Sequence, residues 1–240
     1  MHSSFYVGAA ALTALDRRLS SVAHNVANGT TIGFRAEGVR FETAVASNGS
    51  TGVAFPDAGQ DYISQANGAL IKTGNPLDLA VKGAGWFGLM SPDGPVYTRD
   101  GRFEIASTGE LRSVNGYGVL DASGAPMLLD PNGGPVTVAA DGVVSQSGRQ
   151  AGAVGLFVMD PGATLSRYDN SAVRSDKPPG PPLEFSSNGV AQGFLEQSNV
   201  DPVRELTRLI QIQRTFENIA ASLDMQDASA RDAIKTLGGS

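Results

Sequence analysis

Glycine divides this chain into three stretches. Of 30 glycines, 27 fall within positions 29–193; none lies between Gly8 and Gly29, and none between Gly193 and Gly238. Proline follows the same partition, with twelve of thirteen between Pro56 and Pro182 and only Pro202 outside. Glycine and proline are the residues that interrupt helices, so two helix-competent ends must flank a turn-rich middle. The reading is an α+β, mainly β chain: an antiparallel β domain in the middle, with the N- and C-terminal helices pairing as an α-helical coiled coil.

The first end carries an amphipathic stripe. Phe5, Gly8, Leu12, Leu15, Leu19, Val22 and Val26 alternate spacings of three and four, the a/d pattern of a coiled-coil seam, with Asp16, Arg17, Arg18 and Ser20 off it. The apolar run before Leu15 lacks a basic leader and is too short to span a bilayer, so no cleaved secretory signal is expected. At the other end Asp201 suits an N-cap and Pro202 the first helical position. There Leu209, Ile212, Phe216, Ile219 and Leu223 form a second seam, widened by Leu206, Ile210, Ala220 and Ile234, and a helix over 202–237 would run about 50 Å. Burying these stripes against each other gains about as much as ordering the backbone costs, at about 1–2 kcal/mol per residue. The ends are therefore expected to be weakly ordered alone and stable once other copies cover them.

In the middle, Asp93-Gly94, Asp100-Gly101, Thr108-Gly109, Asn115-Gly116, Ser123-Gly124, Asn132-Gly133 and Asp141-Gly142 recur at seven to nine residues. Such pairs favour tight hairpin turns, which need φ > 0. Between them lie β-prone runs at 96–98, 102–105, 119–120, 127–129 and 136–138, with further strands expected from 154–159 and 183–195. The proline-rich stretch 176–182 reads as an exposed loop. The expected organisation is a helical core from 1–35 with 200–240, an extended connecting segment over 36–74 and a β domain over 75–199.

Chemistry finds little foothold. The chain has no cysteine, which excludes disulfides, thiolate metal sites and thiol nucleophiles, and its two histidines lie far apart. With 18 basic against 24 acidic residues the net charge is −6, which argues against a nucleic-acid or anionic-membrane partner. Gly83-Ala84-Gly85-Trp86-Phe87-Gly88 matches GxGxxG, but Pro92 and the Asp93-Gly94 turn follow too soon for the helix that a dinucleotide needs. The glycines instead bracket an aromatic pair in a bent strand. Neither catalytic residues nor a metal, cofactor or small-molecule substrate is expected, and the chain reads as a non-enzyme.

Three blocks, in order, resemble one family. Asn25-Val26-Ala27-Asn28-Gly29-Thr30-Thr31-Ile32-Gly33-Phe34-Arg35 is similar to the N-terminal signature of bacterial flagellar axial proteins, the rod, hook and hook-associated group. Asn25, Ala27, Asn28, Thr31, Gly33 and Phe34 match it, while Val26 stands where leucine is usual. Gly74-Asn75-Pro76-Leu77-Asp78, Gly85-Trp86-Phe87, and the run containing Tyr97, Arg99, Gly101 and Phe103 resemble the central block of rod and hook members. Leu195-Glu196-Gln197-Ser198-Asn199-Val200-Asp201, then Ile210-Gln211-Ile212-Gln213-Arg214-Thr215-Phe216-Glu217, resembles their C-terminal helix. Length and detail favour the proximal rod type over the distal rod type. The resemblance implies export by the flagellar type III apparatus without a cleaved signal, and residence in the basal-body rod in the periplasm. It also implies helical assembly with other rod subunits, proximal and distal, and with further copies of itself. Paired terminal helices would form an inner tube and the β domain would lie outside; Asn25, Asn28 and Thr31 would cap or turn the first helix, and Gly33 would take a positive φ. The alternative left open by the residues alone is a surface or carbohydrate-binding β protein on an oligomerising stalk.

Overall fold

The computed structural model describes residues 2–41, 43–46, 53–56, 59–180 and 188–238. Two long helices, α1 (His2–Ala27) and α2 (Pro202–Gly238), flank the described strands. These are β1 (Glu37–Arg40), β2 (Thr43–Ala46), β3 (Val53–Pro56), β4 (Gln60–Ile63), β5 (Leu70–Lys72), β6 (Leu79–Lys82), β7 (Trp86–Ser91), β8 (Gly94–Thr98), β9 (Phe103–Ile105) and β10 (Leu111–Ser113). There follow β11 (Gly118–Val119), β12 (Val136–Val138), β13 (Val143–Gln146), β14 (Arg149–Ala153), β15 (Leu156–Phe157), β16 (Leu165–Arg167), β17 (Ala172–Ser175), β18 (Gly189–Gln192) and β19 (Phe194–Glu196). The chain is mainly β with two helices, and its strands pair antiparallel wherever the register is defined among the described residues.

Two compact units result: residues 1–27, 37–62 and 201–240 form one, and residues 28–36 and 63–200 the other. In the first, α1 packs on α2 and β1, while β2 pairs with β3 and β1 with β4. The Oδ1 of Asp201 accepts the N–H groups of Val203 and Arg204, both at 3.1 Å, the N-cap that starts α2 ahead of Pro202. From there α2 continues for 37 residues, about 55 Å.

The second unit centres on an eight-stranded sheet in the order β16-β17-β8-β7-β11-β10-β9, with β15 also on β7. Around it lie a β12-β13-β14 meander and the pairs β6-β18 and β5-β19. Alternation along β7 places Phe87 and Leu89 in the main core, while Trp86 enters a second cluster with Tyr97, Met159, Leu165 and Val173. Phe87 meets Phe103 edge to face at 5.2 Å. The GxGxxG stretch therefore leads into a strand, with both rings of its aromatic pair buried.

Some expectations change. Residues 127–129 form no regular strand: they divide their bonds between Val119 on one side and Leu111 on the other, leaving isolated bridges. The run 154–159 shortens to β15, because the N–H groups of Val154 and Gly155 bond Gly142 and Leu120 in separate segments. Within 176–182, Gly180 bridges Val158; positions 181–187, including part of the expected strand 183–195, lie outside the described residues. The stretch 36–74, expected only as an extended connector, carries the short strands β1 to β5. Of the seven turn glycines, Gly94, Gly109, Gly116, Gly124 and Gly142 take a positive φ, whereas Gly101 and Gly133 do not. Space, not φ, requires glycine at 101: a Cβ there would lie 1.6 Å from the carbonyl oxygen of Leu79.

Candidate assembly surface

In the helical unit α1 and α2 pack against each other. The helices approach closely at Gly8, where an added Cβ would fall 2.6 Å from a Leu223 methyl. Val22 and Ile212 are the buried apolar side chains of this unit among the described residues. Leu12, Leu15, Leu19 and Val26 on α1, and Leu209, Ile219 and Leu223 on α2, are half-buried. Phe216 remains 40% exposed and Leu206 48% exposed. The side chains of Phe5, Ala230, Ala233, Ile234 and Leu237 lie outside those described.

Where α1 ends, Asn25 is 2% exposed and does more than cap. Its amide Nδ2 donates to the Glu37 carbonyl and its Oδ1 accepts the Glu37 N–H, both at 2.8 Å, so one side chain imitates a strand partner for β1. The same Nδ2 lies 3.5 Å from Glu205, a buried carboxylate that pairs with Arg208. His24 Nδ1 meets Glu37 at 3.0 Å. Ala27, the last residue of α1, is exposed.

The remainder of the motif belongs to the β unit. Asn28 and Thr31 close a turn through a backbone bond and a side-chain bond, each 3.1 Å. Gly33 has φ 69°, and a Cβ there would lie 2.2 Å from the Asp100 nitrogen. Phe34 is fully buried, with the Arg167 guanidinium 4.3 Å above its ring.

Next to Phe34, Arg35 enters a buried ionic cluster. Glu196 of β19 receives Arg35 on one carboxylate oxygen and Arg99 on the other, both at 2.9 Å, and also accepts the Gly68 N–H at 2.8 Å. Arg35 further donates to the Ala66 carbonyl and to Asn67, and Arg99 to the Gly83 carbonyl. Both guanidiniums lie over the Trp86 ring, Arg35 at 5.5 Å and Arg99 at 5.4 Å from its centroid. The Nε of each arginine is buried without a hydrogen-bond partner among the described residues. Burial, then the charge of Arg99, pushes the Arg35 guanidinium down to about 10 against the pull of Glu196. Burial likewise lowers Arg99. Two cations share one carboxylate, so the cluster depends on Glu196.

The central block braces the same unit. Gly74 turns with φ 78°. Asn75 caps the following turn, donating to Asp78 at 3.0 Å and accepting the Leu77 N–H at 3.2 Å, with Pro76 exposed between them. Gly85, at φ 108°, aims Trp86 and Phe87 to opposite sides of β7, and Tyr97 tilts against Phe157 at 5.7 Å. Sequence reasoning singled out Arg99 but passed over Arg35, Glu196, Glu37 and Glu205. Arg35 and Glu196 each stand as a charged residue within a matched block, which was the available signal, whereas Glu37 and Glu205 lie outside the blocks.

Beside the helices a groove of about 400 Å³ is lined by Leu15, Arg18, Val22, Val39, Tyr62 and Ile212, among others. On α2 the apolar side chains Val203, Leu206 and Ile210 are 74%, 48% and 49% exposed. No helix of the described residues is long and apolar enough to cross a membrane.

Comparison with known proteins gives this arrangement a family. Residues 191–236 match the family model "Flagellar basal body rod FlgEFG protein C-terminal", and residues 80–146 match "Flagellar hook protein FlgE/F/G D1 domain". The chain is 49% identical over 238 residues to the flagellar basal-body rod protein FlgF of Mesorhizobium japonicum, covering 99% of each. It is 42% identical to FlgF of Rhizobium meliloti over the full length of both. To the rod protein FlgG of Bacillus subtilis it is 28% identical over 98% of each chain. On these full-length relationships, the chain belongs to the FlgF family of flagellar basal-body rod proteins.

Proposed function

We infer that this chain is a structural subunit of the proximal part of the flagellar basal-body rod, assembling with other rod components such as FlgG. The carrying observation is the full-length identity to FlgF proteins, well above that to FlgG. Its burial pattern supports the reading: the β unit has an extensive buried core, whereas the helical unit leaves large apolar side chains exposed. In this proposal α1 and α2 pair as a coiled coil along Leu12, Leu15, Leu19, Val22 and Val26 against Leu209, Ile212, Phe216, Ile219 and Leu223. The pair and its neighbours then build the wall of a hollow drive shaft while the β unit lies outside. The chain leaves the cell through the flagellar type III apparatus and assembles in the periplasm, and the coiled coil completes its order on incorporation.

The test is complementation of a strain lacking its own FlgF. The full chain should restore swimming and be locatable in the proximal rod of isolated basal bodies; a chain lacking 2–27 should restore neither. Restored swimming by the truncated chain, or a position in the distal rod, would overturn the proposal.

A further inference from the structure

Residues 28–36 belong to the β unit, yet residues 37–62, which follow them, belong to the helical unit, and the rest of the β unit starts at 63. The β unit is therefore one long continuous stretch plus one short segment that comes to it from the N-terminal side. That short segment meets the very end of the long one. Gly33 donates its N–H to the Glu196 carbonyl at 2.7 Å, and Asn199 donates its N–H to the Phe34 carbonyl at 3.3 Å. The Ala36 N–H reaches the Asn199 Oδ1 at 2.7 Å, across 163 residues of sequence. The Ala36 carbonyl accepts the Ser64 N–H at 2.8 Å, and the Asn199 amide ties the same corner to Ser64 and Ala66. Arg167 donates to the Arg35 carbonyl at 2.6 Å.

The fit is close, but it adds to a core built from other residues. A Cβ on Gly33 would fall 2.2 Å from the Asp100 nitrogen and 2.5 Å from the Arg99 carbonyl carbon, so the segment lies directly on backbone. Phe34 is fully buried, yet among the described residues neither apolar cluster of the unit contains it or any other member of 28–36. The pairings beneath those clusters include many local ones: β7 with β8, β9 with β10, β13 with β14 and β16 with β17 each join neighbours in the chain. Closing a loop costs more entropy as the loop lengthens, so local pairs form first and long-range ones later. Glu196 comes into place only when β19 pairs with β5. Arg35 then joins a carboxylate that already holds Arg99, and a second buried cation gains less there than the first.

We propose that residues 28–36 act as a strap that closes the β unit last, docking on Glu196–Asn199 after the sheet core has formed and opening from it without unfolding that core. Completion of the unit then requires its first and last segments together. A chain delivered piece by piece, from either end, can form its hairpins but cannot bury Phe34 and Arg35 until both segments are present. That consequence rests on the proposed passage through the export apparatus; the order of closure does not.

Pulse-labelling hydrogen exchange on the full chain, refolding from urea, tests the order. The Gly33, Ala36, Ser64 and Asn199 amides, which make the strap contact, should gain protection at least about tenfold more slowly than amides of β7, β8 and β13. Simultaneous protection, or protection of the strap first, would overturn the proposal. In the folded chain, exchange at low urea should show the same four amides opening together through a smaller event than the core amides. If they exchange only with global unfolding, the strap is part of the core and the idea fails. Gly33→Ala pushes the strap off the Asp100 backbone and should speed exchange at Ala36 and Asn199 at least about tenfold, with β7 and β8 unchanged. Loss of protection throughout the unit, or no change at all, counts against the strap; should this variant not fold, the two measurements on the parent chain decide alone. All of these use purified protein, so their failure leaves the rod-subunit reading standing, and failed complementation leaves the order of closure standing.

Discussion

The β unit and the helical unit use their apolar residues in opposite ways. In the β unit the main core gathers Leu79, Val81, Phe87, Leu89, Val96, Phe103, Leu111 and Val119 with at least eight further residues, all buried. In the helical unit, among the described residues, only Val22 and Ile212 reach that class, while Tyr62, Val203, Leu206, Ile210, Phe216 and Met225 stay exposed. Helices as long as these draw most of their stability from packing one face. The contrast therefore separates a part that buries its own apolar side chains from a part that leaves several of them exposed, as the proposed assembly requires. It also places cost differently: a lesion in the β unit is felt by the isolated chain, a lesion on the helices by the assembly.

The comparison breaks most sharply at Glu196. Glu196→Ala leaves Arg35 and Arg99 buried without their shared anion and should cost about 3–5 kcal/mol in urea unfolding of the isolated chain. Replacing all three residues with apolar ones of similar volume should restore most of that loss; if the single variant is as stable as the parent, the cluster does not hold the unit. Next comes a matched pair of truncations. Leu156→Ala, at 1% exposure in the β core, should lower stability by about 2–5 kcal/mol. Leu206→Ala, half exposed on α2, should change it by no more than about 0.5 kcal/mol in dilute solution while impairing swimming. Equal effects on the isolated chain would erase the distinction between the units.

A smaller loss is expected at Asn25. Asn25→Ala removes both bonds to the Glu37 backbone and should cost about 1–3 kcal/mol locally, read as faster hydrogen exchange at the Glu37 amide with β-unit amides unchanged. The smallest effect belongs to Asp121, in a surface turn. Its burial alone would raise the carboxyl, but hydrogen bonds from the Ser123 hydroxyl and the N–H groups of Ala125, Ser123 and Gly124 hold it below the ordinary 3.8. A carboxyl lowered in the folded state adds stability that is complete above the unfolded value and disappears as pH falls through the folded one. Asp121→Asn should therefore be slightly less stable than the parent at neutral pH and indistinguishable from it once pH is well below that range.

The helices were legible because their signals are local. The gap in glycine and proline, the three-four stripes and the Asp201-Pro202 start lie within a few turns of what they specify, and α1 (His2–Ala27) and α2 (Pro202–Gly238) form where those signals point. The β core was legible in type and in its turns. Strand bounds were harder: residues such as Met127 and Val154 share their hydrogen bonds among several segments, and no window of sequence shows that division. Least legible were the side chains whose partners lie far along the chain. Arg35 and Glu196 are 161 residues apart in sequence, and Asn25 and Glu205 are 180 apart. The quoted blocks contained most of these residues, yet only the folded arrangement pairs them.

Trp86, whose ring lies under two guanidiniums in the β unit, is the sole tryptophan of the chain. The molecule thus carries a single intrinsic fluorophore, placed where it reports the ionic cluster and the β core. Its emission should follow unfolding of that unit while giving little signal as the terminal helices gain order, a change that far-ultraviolet circular dichroism would register. Recorded together during polymerisation, the two signals would separate the moment a subunit is folded from the moment it is built in.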